Sequence, residues 1–311
     1  MRGGVALVAS PGGHVDEAYE IADRFAPRGS RVWITAKTMQ TVTLLGEEQV
    51  EWVPEVKSRE AARAMRTLPI AHRVMRKRRP TLVVSTGSAL TVPYMTAARA
   101  LRIPVTYVES ATRMDAPSVT GRISELIPGI DRHYQGVDWD RRGWQSFGSV
   151  FDGYEVKAGP SSEIRNLLVT IGSEKYPFQR ALEMVLPAAP GKELTWQTGN
   201  TPVKDPLPGN ARAWWPGEEL AAQAREVDAV VTHAGVGSIL MVLRTGKCPV
   251  VIPRTKRLGE HVDNHQLQLA RLLHERGIII VARPGGDILN CLAQASERRI
   301  VRRNFRSSGV A

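Results

Sequence analysis

The chain has 311 residues, of which 42% are hydrophobic and 23% charged, and this composition fits a globular protein of two domains. No apolar run approaches the roughly 20 residues that a membrane-spanning helix needs. The first ten residues lack a signal-type apolar core, so we expect a cytoplasmic protein. The two cysteines, Cys248 and Cys291, lie far apart, which excludes a disulfide framework and a metal-ligand spacing.

Strand and helix patterns alternate along the first half of the chain. Short, β-branched apolar runs bounded by turn residues predict strands of a parallel sheet covered on both faces. These strands are predicted at residues 5–9, 31–35, 81–85 and 105–109. Helices are predicted at 14–26 and at 59–78, with an interruption at Pro69. This alternation predicts a doubly wound α/β lobe over residues 1–155.

The alternation restarts after residues 156–163, whose Gly, Pro and Ser content predicts a linker. In the second half, strands are predicted at 167–171, 193–198, 229–232, 249–252 and 278–281, the last strand of the chain. Helices are predicted at 177–185, 220–225, 238–244 and 265–274. We therefore predict a second lobe over 164–311, and an α/β protein of two Rossmann-like lobes facing across a cleft.

Two glycine-rich turns each connect a predicted strand to a predicted helix. The first is Ser10-Pro-Gly-Gly-His14, and the second is His233-Ala-Gly-Val-Gly-Ser238. A turn without Cβ atoms lets a ligand approach the backbone, and the helix start presents free N–H groups to a phosphate. Such turns also serve packing alone. Both lack the dinucleotide-binding and P-loop patterns, which argues against hydride transfer and ATP hydrolysis.

A polar segment, residues 253–266, follows the predicted strand at 249–252 and leads into a helix. Open α/β sheets bind ligands at the carboxyl ends of their strands. Asp263, Asn264, His265 and Gln266 supply the donors and acceptors that sugar hydroxyls need. The alternative is a solvated loop in which Asp263 or Asn264 caps the helix.

These motifs resemble a fused form of the two-subunit N-acetylglucosaminyltransferase of dolichol-linked oligosaccharide synthesis. The similarity is closer to the paired bacterial transferases of capsule and exopolysaccharide assembly. It extends more weakly to the transferase that adds N-acetylglucosamine to the lipid-linked peptidoglycan precursor. The donor-subunit motifs are residues 169–173, 233–239 and 253–266. The motifs of the acceptor-side, membrane-associating subunit are residues 10–14 with Glu17, 85–87, 109–110 and 118–121.

The resemblance implies a GT-B enzyme with a glycosyltransferase family 28-like C-terminal lobe. Its implied reaction is inverting, metal-independent transfer from a UDP-sugar to a glycan or lipid-linked acceptor in bacterial polysaccharide or glycoconjugate synthesis. Met241 stands where the family often has a ribose-binding Glu, which leaves the nucleotide open. The implied acceptor contacts are Gly12, Gly13, Ser85, Thr86, Gly87 and Ser110. The implied donor contacts are Gly172, Ser173, His233, Gly235, Val236, Gly237, Ser238, Arg254, Glu260, His261, Asn264, His265 and Gln266.

Inverting transfer needs a base for the acceptor hydroxyl and donors for the diphosphate leaving group. We predict His14 as the base, because a helix start lowers the pKa of a histidine and keeps it neutral. Glu17 and Glu109 are the alternatives. No cofactor or metal is expected. A metal-dependent alternative would use Asp138 and Asp140 as an Asp-x-Asp site, although no other acidic cluster supports it.

The net charge of +11 includes two basic clusters. They are Arg73, Arg76, Lys77, Arg78 and Arg79, and then Arg298, Arg299, Arg302, Arg303 and Arg306. Solvated helix faces are one interpretation. An anionic membrane surface is favoured over nucleic acid, because the clusters contain few interleaved aromatic residues. We expect peripheral attachment at the inner face of the plasma membrane through the N-terminal lobe. The oligomeric state stays open.

Two other function classes remain. One is a UDP-sugar epimerase or hydrolase on the same scaffold, which needs no glycosyl acceptor. The other is a non-catalytic scaffold that recruits a partner transferase to the membrane. The Met241 departure favours the scaffold, whereas the presence of both lobes in one chain argues against it.

Overall fold

The computed structural model describes residues 3–56, 60–136, 139–172 and 174–303. The described chain divides into two units, one ending at Val150 and the other beginning at Phe151. Within these ranges the first unit contains one parallel sheet in the order β3-β2-β1-β4-β5-β6-β7. Its strands are β1 (Val5–Val8), β2 (Arg31–Ala36), β3 (Val50–Val53), β4 (Leu82–Ser85), β5 (Val105–Val108), β6 (Ile130–Tyr134) and β7 (Gln145–Ser146).

Helices cover both faces of this sheet. They are α1 (Gly13–Phe25), α2 (Met39–Leu45), α3 (Ala61–Arg66), α4 (Leu68–Arg78), α5 (Thr91–Ala100) and α6 (Val119–Leu126). Alternate residues of β1 enter different cores: Ala6 and Val8 pack in one cluster, Val5 and Leu7 in the other. A strand buried on both faces reads as a continuous apolar run, which is why the sequence predicts it.

The helix predicted at 59–78 is two helices. The first ends at Arg66 and the second begins at Leu68. Pro69 therefore lies in the first turn of α4, where its missing N–H has no partner to lose. The break occurs before the proline instead of at it.

The second unit contains another parallel sheet, in the order β11-β10-β9-β12-β13-β14. Its strands are β9 (Asn166–Thr170), β10 (Glu193–Gln197), β11 (Asn210–Arg212), β12 (Ala229–His233), β13 (Val250–Ile252) and β14 (Ile280–Val281). Its helices are α7 (Gln179–Val185), α8 (Gly217–Glu226), α9 (Val236–Leu243), α10 (His265–Glu275) and α11 (Ile288–Ser296). Two doubly wound parallel sheets confirm the predicted α/β class with two Rossmann-like lobes.

An antiparallel ribbon completes the second unit, and it corrects three expectations. Strand β8 (Tyr154–Ala158) pairs with β15 (Arg298–Arg302). Residues 156–158 of the expected linker are therefore strand. The strand at 278–281 is not the last, and Arg298, Arg299 and Arg302 lie on a strand and not on a helix face. Arg306 lies outside the described residues.

No helix in the described part of the chain is long and apolar enough to cross a membrane.

Candidate functional site

In the first unit, the loops after β1 and β4 leave the sheet where its strand order reverses, the usual ligand position in open α/β sheets. His14 is the second residue of α1, directly after the first of these loops, and Thr86 begins the second loop. The His14 Nδ1 atom is 2.8 Å from the Thr86 carbonyl oxygen, and the Thr86 hydroxyl donates to the His14 carbonyl at 2.7 Å. The structure thus brings together two of the residues predicted for catalysis and acceptor binding.

The electrostatic environment keeps His14 uncharged. Burial lowers its pKa below the ordinary 6.5, the hydrogen bond to the Thr86 carbonyl opposes this shift, and the positive charge of Arg113 reinforces it. Gly87, with φ +102°, lets the loop after β4 pass the imidazole. A Cβ there would lie 3.3 Å from His14 Cε1. The ring is therefore neutral at pH 7 and closely packed.

Glu17 lies one turn after His14 on α1 and is 1% exposed. Its carboxylate accepts hydrogen bonds from the Ser110 hydroxyl at 2.6 Å, the Ala111 N–H at 3.0 Å and the Gln135 amide at 2.9 Å. Burial raises the pKa of Glu17 to about 8, against the lowering effect of these bonds. Glu17 therefore fixes the loop after β5, and Ser110 with it, from inside the unit.

Glu109 has a comparable position under the start of α6. It accepts hydrogen bonds from the Tyr107 hydroxyl at 3.1 Å, from the Ser110 N–H at 3.1 Å, and from the Ser118 N–H and hydroxyl at 2.8 and 2.9 Å. Burial also raises the pKa of this carboxyl. Gly121 makes the packing possible, because a Cβ there would lie 2.3 Å from Glu109 Oε2.

The other predicted acceptor contacts differ in exposure. Gly12 is exposed and Gly13 half-buried at the start of α1. Ser85 is buried, and its hydroxyl accepts the Gly87 N–H at 3.1 Å. Ser85 therefore shapes the turn. Two further residues were not predicted from the sequence. Gln40 accepts a hydrogen bond from the Gly12 N–H, and Gln135 donates one to the Glu17 carboxylate.

In the second unit, the corresponding reversal lies between β9 and β12. The His233 ring, at the end of β12, is enclosed by Gly172 and Gly235. A Cβ on Gly172 would lie 2.5 Å from His233 Cε1, and one on Gly235 would lie 2.3 Å from Nε2. Both positions therefore require glycine. Ser173, the remaining predicted contact after β9, lies outside the described residues.

His233 is 7% exposed and uncharged. Burial, reinforced by the positive charge of Arg254, lowers its pKa to about 3. Its Nδ1 atom is buried and has no hydrogen-bond partner within the described ranges. A buried polar atom without a partner is costly unless a ligand or water satisfies it.

Helix α9 begins at Val236, two residues earlier than predicted, with Gly235 as its N-cap. No side chain caps it, and the N–H groups of Val236, Gly237 and Ser238 have no backbone acceptor among the described residues. This helix start therefore presents free donors and a positive dipole end beside His233, an arrangement suited to a phosphate.

Arg254 and Gln266 are buried and connect the loops around this helix start. The Arg254 guanidinium donates to the carbonyls of Ile171 at 2.8 Å, Tyr176 at 2.7 Å and Glu260 at 3.1 Å. The Gln266 Oε1 atom accepts a hydrogen bond from the backbone N–H of Arg254 at 3.1 Å. Both residues thereby fix the segment after β13.

The Glu260 carboxylate accepts two hydrogen bonds from Arg180, at 2.8 and 2.7 Å, and one from the Thr255 N–H at 3.0 Å. It too is buried. The structure thus places Glu260 in an internal ion pair. Its contact with a donor stays a prediction.

Asp263 organises the more exposed part of the segment. Its carboxylate lies 2.9 Å from His261 Nδ1 and 3.5 Å from His265 Nε2, and it accepts the His265 N–H at 3.2 Å. The Asn264 side chain accepts the Lys256 N–H at 3.1 Å. Asp263 therefore satisfies the first N–H of α10, and it also orients two imidazoles.

Met241 is half-buried on α9 and packs beside Trp215 against an apolar cluster that includes Leu168, Leu220 and Val230. This position is apolar, in contrast to the ribose-binding Glu of the resembling family. Of the alternative Asp-x-Asp site, Asp140 is exposed, and Asp138 lies outside the described residues.

Residues 166–281 match the family model of the glycosyltransferase family 28 C-terminal domain. This range runs from the first residue of β9 to the last residue of β14 and includes His233, α9 and Arg254. The predicted resemblance to family 28-like GT-B glycosyltransferases is confirmed.

Proteins similar to this chain include glycosyltransferases. A stretch of 65 residues is 37% identical to "UDP-N-acetylglucosamine transferase subunit ALG13" of Yarrowia lipolytica and covers 21% of this chain and 31% of that protein. The chain thus spans less than a third of this relative. MurG of Acinetobacter baumannii superposes with a TM-score of 0.54 at 18% identity, over 94% of this chain and 89% of that one. The glycosyltransferase SnogD of Streptomyces nogalater superposes with a TM-score of 0.57 at 18% identity, over 95% of this chain and 92% of that one. These two structures share the GT-B fold.

Proposed function

We propose that the chain is an inverting, metal-independent glycosyltransferase that moves a sugar from a UDP-sugar to a glycan or lipid-linked acceptor. The observation that carries the proposal is the uncapped start of α9 beside the buried His233, inside the family 28 match. The ALG13 relative, named as a UDP-N-acetylglucosamine transferase subunit, supports UDP as the nucleotide.

In the proposed reaction, the acceptor hydroxyl oxygen attacks the anomeric carbon and the bond from that carbon to the diphosphate oxygen breaks. The hydroxyl proton passes to His14 Nε2, the ring nitrogen left unprotonated when Nδ1 donates to Thr86. The negative charge of the leaving diphosphate is stabilised by the N–H groups of Val236, Gly237 and Ser238. His265 and Gln266 contact the donor sugar or its phosphates.

We assign Glu17 and Glu109 a positioning role in place of the base. Their carboxylates are buried, and each accepts at least three hydrogen bonds from neighbouring loops. A general base must reach the proton that it removes. The partly exposed His14 meets this condition better than either carboxylate.

Metal independence is part of the proposal. A helix start and neutral polar groups stabilise the leaving group, as the geometry beside His233 supports. Full activity is expected in excess chelator. Loss of activity in chelator with recovery on adding manganese would contradict this and would point to Asp138 and Asp140.

We also propose that the protein acts in bacterial polysaccharide or glycoconjugate synthesis, in the cytoplasm at the inner face of the plasma membrane. Two surfaces of the first unit support contact with an anionic bilayer. On α4, Arg73 and Arg76 are exposed. On α6, Val119 is 75% and Leu126 80% exposed, with the exposed Arg122 between them. Apolar residues beside arginines suit a lipid headgroup interface.

A panel of nucleotide sugars, each incubated with the purified protein and candidate acceptors, tests the proposal. A glycosylated acceptor together with released UDP is the expected product. Epimerised or hydrolysed nucleotide sugar without acceptor glycosylation would indicate an epimerase or hydrolase. Binding without turnover of any donor would indicate a recruiting scaffold. Either result would overturn the transferase assignment.

A further inference from the structure

The side chain of Gln40, on the first turn of α2, folds back over the glycine turn that precedes His14. Its Oε1 atom accepts the Gly12 N–H at 2.6 Å. Its Nε2 group donates to the Gly12 carbonyl at 3.2 Å and to Asp16 Oδ2 at 2.7 Å. One amide thus bonds the Gly12 N–H and shares the Gly12 carbonyl with the Asp16 backbone N–H, which lies 3.4 Å from that oxygen, and it also reaches the first turn of α1.

The start of α2 fixes where this amide lies. Thr38 and Thr41 form a reciprocal capping box, in which the Thr38 hydroxyl accepts the Thr41 N–H at 3.2 Å and the Thr41 hydroxyl accepts the Thr38 N–H at 2.9 Å. Gln40 lies between them and two residues after the N-cap. Its backbone is therefore set by a short, self-contained motif.

Gly12 needs such a restraint. Its φ of 94° and ψ of −151° lie in a region that is open essentially only to glycine. Glycine is also the residue with the most alternative conformations to lose. Hydrogen bonds to both its N–H and its carbonyl restrict those alternatives. The direction in which α1 begins then follows.

His14 lies between the two points that Gln40 holds, Gly12 and Asp16. Thr86 holds it from the neighbouring loop, through the imidazole Nδ1 and the His14 carbonyl. Gln40 touches neither the imidazole nor the opposite loop in any hydrogen bond among the described residues. Its effect on the ring therefore passes through the backbone of the glycine turn.

We propose that Gln40 is a positioning residue for the His14 base: it fixes the Gly12 turn so that His14 Nδ1 stays bonded to Thr86 and Nε2 stays available. This inference rests on the proposed function for its catalytic consequence, although the structural consequence stands without it. On this proposal, the position of the His14 ring depends on a residue of α2 as well as on the glycine turn itself.

The test compares Gln40→Met, which keeps the length of the side chain and removes the amide, with Thr43→Ala on the exposed side of the same helix. In Gln40→Met, kcat is expected to fall about 10- to 100-fold, the range for a slightly misplaced catalytic group. The donor KM is expected to stay unchanged. Thr43→Ala should behave like the wild type. A Gln40→Met enzyme with wild-type kcat would overturn the proposal.

Imidazole 15N NMR supplies a readout that does not depend on turnover. The wild type is expected to show His14 protonated at Nδ1, and Gln40→Met is expected to show a mixture of both tautomers. An unchanged His14 spectrum would overturn the proposal even if activity were lost. If the wild type transfers no sugar, the proposed function fails while this spectrum still decides the role of Gln40. If Gln40→Met does not fold, Gln40→Glu replaces it: its carboxylate still accepts the Gly12 N–H but can no longer donate to the Gly12 carbonyl, and it faces the Asp16 carboxylate. The same tautomer mixture is then expected.

Discussion

The Nδ1 atom of His14 lies 2.8 Å from the carbonyl oxygen of Thr86, and this contact selects the tautomer of the imidazole. A carbonyl only accepts, so the proton is on Nδ1 and the lone pair on Nε2. The acceptor is a backbone carbonyl and does not depend on the Thr86 side chain, whose hydroxyl makes a second bond, to the His14 carbonyl. The tautomer is therefore set by the path of the loop after β4.

The first prediction concerns pH. A base must be unprotonated to act, and burial lowers the pKa of His14 below 6.5, so activity should be lost on acidification only below pH 6.5. His14→Ala is expected to lower kcat by about 10²–10⁴-fold. The measurement is kcat/KM from pH 5 to pH 8. An acid limb at or above pH 6.5, or a fully active His14→Ala, would place the base elsewhere.

The second prediction uses the pKa of Glu17, which burial raises from 4.5 to about 8. Between these two values the unfolded chain has lost this proton and the folded chain has kept it. The free energy of unfolding should therefore fall with rising pH across this window. Glu17→Gln mimics the protonated acid and removes that dependence. Urea unfolding at pH 5 and pH 9 should show a smaller loss for Glu17→Gln than for the wild type.

Glu47 provides the control for this experiment, because it is exposed and has no hydrogen bond to other described residues. Glu47→Gln should keep the wild-type pH dependence. If Glu17→Gln loses as much stability as the wild type between pH 5 and pH 9, the Glu17 carboxyl is ionised in the folded protein at neutral pH. The assigned upward shift of the Glu17 pKa would then be wrong.

The third prediction concerns Gly235, where a Cβ would lie 2.3 Å from His233 Nε2. The ring is buried and lies against both Gly172 and Gly235, so Gly235→Ala should displace the start of α9. We expect the loss of UDP binding by calorimetry and a destabilisation of about 1–3 kcal/mol, typical of overpacking. Adding His233→Ala to Gly235→Ala removes the clashing ring and should recover most of the stability. If the single substitution leaves UDP affinity unchanged, nucleotide binding does not depend on this turn.

Apolar, β-branched strands were predictable from the sequence, because β1, β4, β5, β9 and β12 are buried on both faces. Strand β15 was not, since three of its five residues are arginines and its structure comes from pairing with β8. Helix α2 was missed because it is seven residues long and depends on the capping box of Thr38 and Thr41.

The candidate sites divide in the same way. The glycine turns were visible, because their residue types are required by close approach of the backbone and a ring. The burial of Glu17 and Glu109 was not visible, since a carboxylate has no apolar pattern and its donors come from distant parts of the chain. Gln40 is 28 residues from Gly12, and nothing in its local sequence indicates that contact.

The fourth prediction separates two roles of Gln266. Its Oε1 atom accepts the Arg254 N–H, and removing this acceptor from a buried donor costs about 1–3 kcal/mol. Gln266→Ala should therefore lower stability as well as turnover. Gln266→Glu keeps the acceptor and removes the amide donor, so it should keep stability and lose donor turnover far more than UDP affinity. If Gln266→Glu lowers donor turnover and UDP affinity by the same factor, Gln266 contacts the nucleotide and not the sugar.

The last prediction is peripheral binding to anionic membranes through the first unit. Lys77 and Arg78 on α4 pair with Glu51, whereas Arg73 and Arg76 are exposed and form no ion pair with another residue in the described part of the chain. Each basic residue near an anionic surface contributes about 1 kcal/mol. Neutralising both as Arg73→Gln and Arg76→Gln should weaken binding by about 2 kcal/mol, or roughly 30-fold, in co-sedimentation with phosphatidylglycerol-containing liposomes.

Salt and lipid composition provide further arms of this experiment. Binding should require the anionic lipid and fall with added salt, since the Debye length shrinks from about 8 Å near physiological ionic strength to about 3 Å at 1 M. The matched control removes the same charge from the second unit, where the exposed Lys157 and Arg299 face each other on β8 and β15.

Lys157→Gln with Arg299→Gln should leave liposome binding unchanged, because the attachment is assigned to the first unit. Val119→Asp with Leu126→Asp should weaken binding even at high salt, where the apolar contribution of α6 dominates. An equal loss in the control would show that total charge, and not the first unit, governs attachment. If the wild type ignores anionic liposomes at low salt, the membrane assignment is wrong, and an acceptor free in solution becomes the better hypothesis.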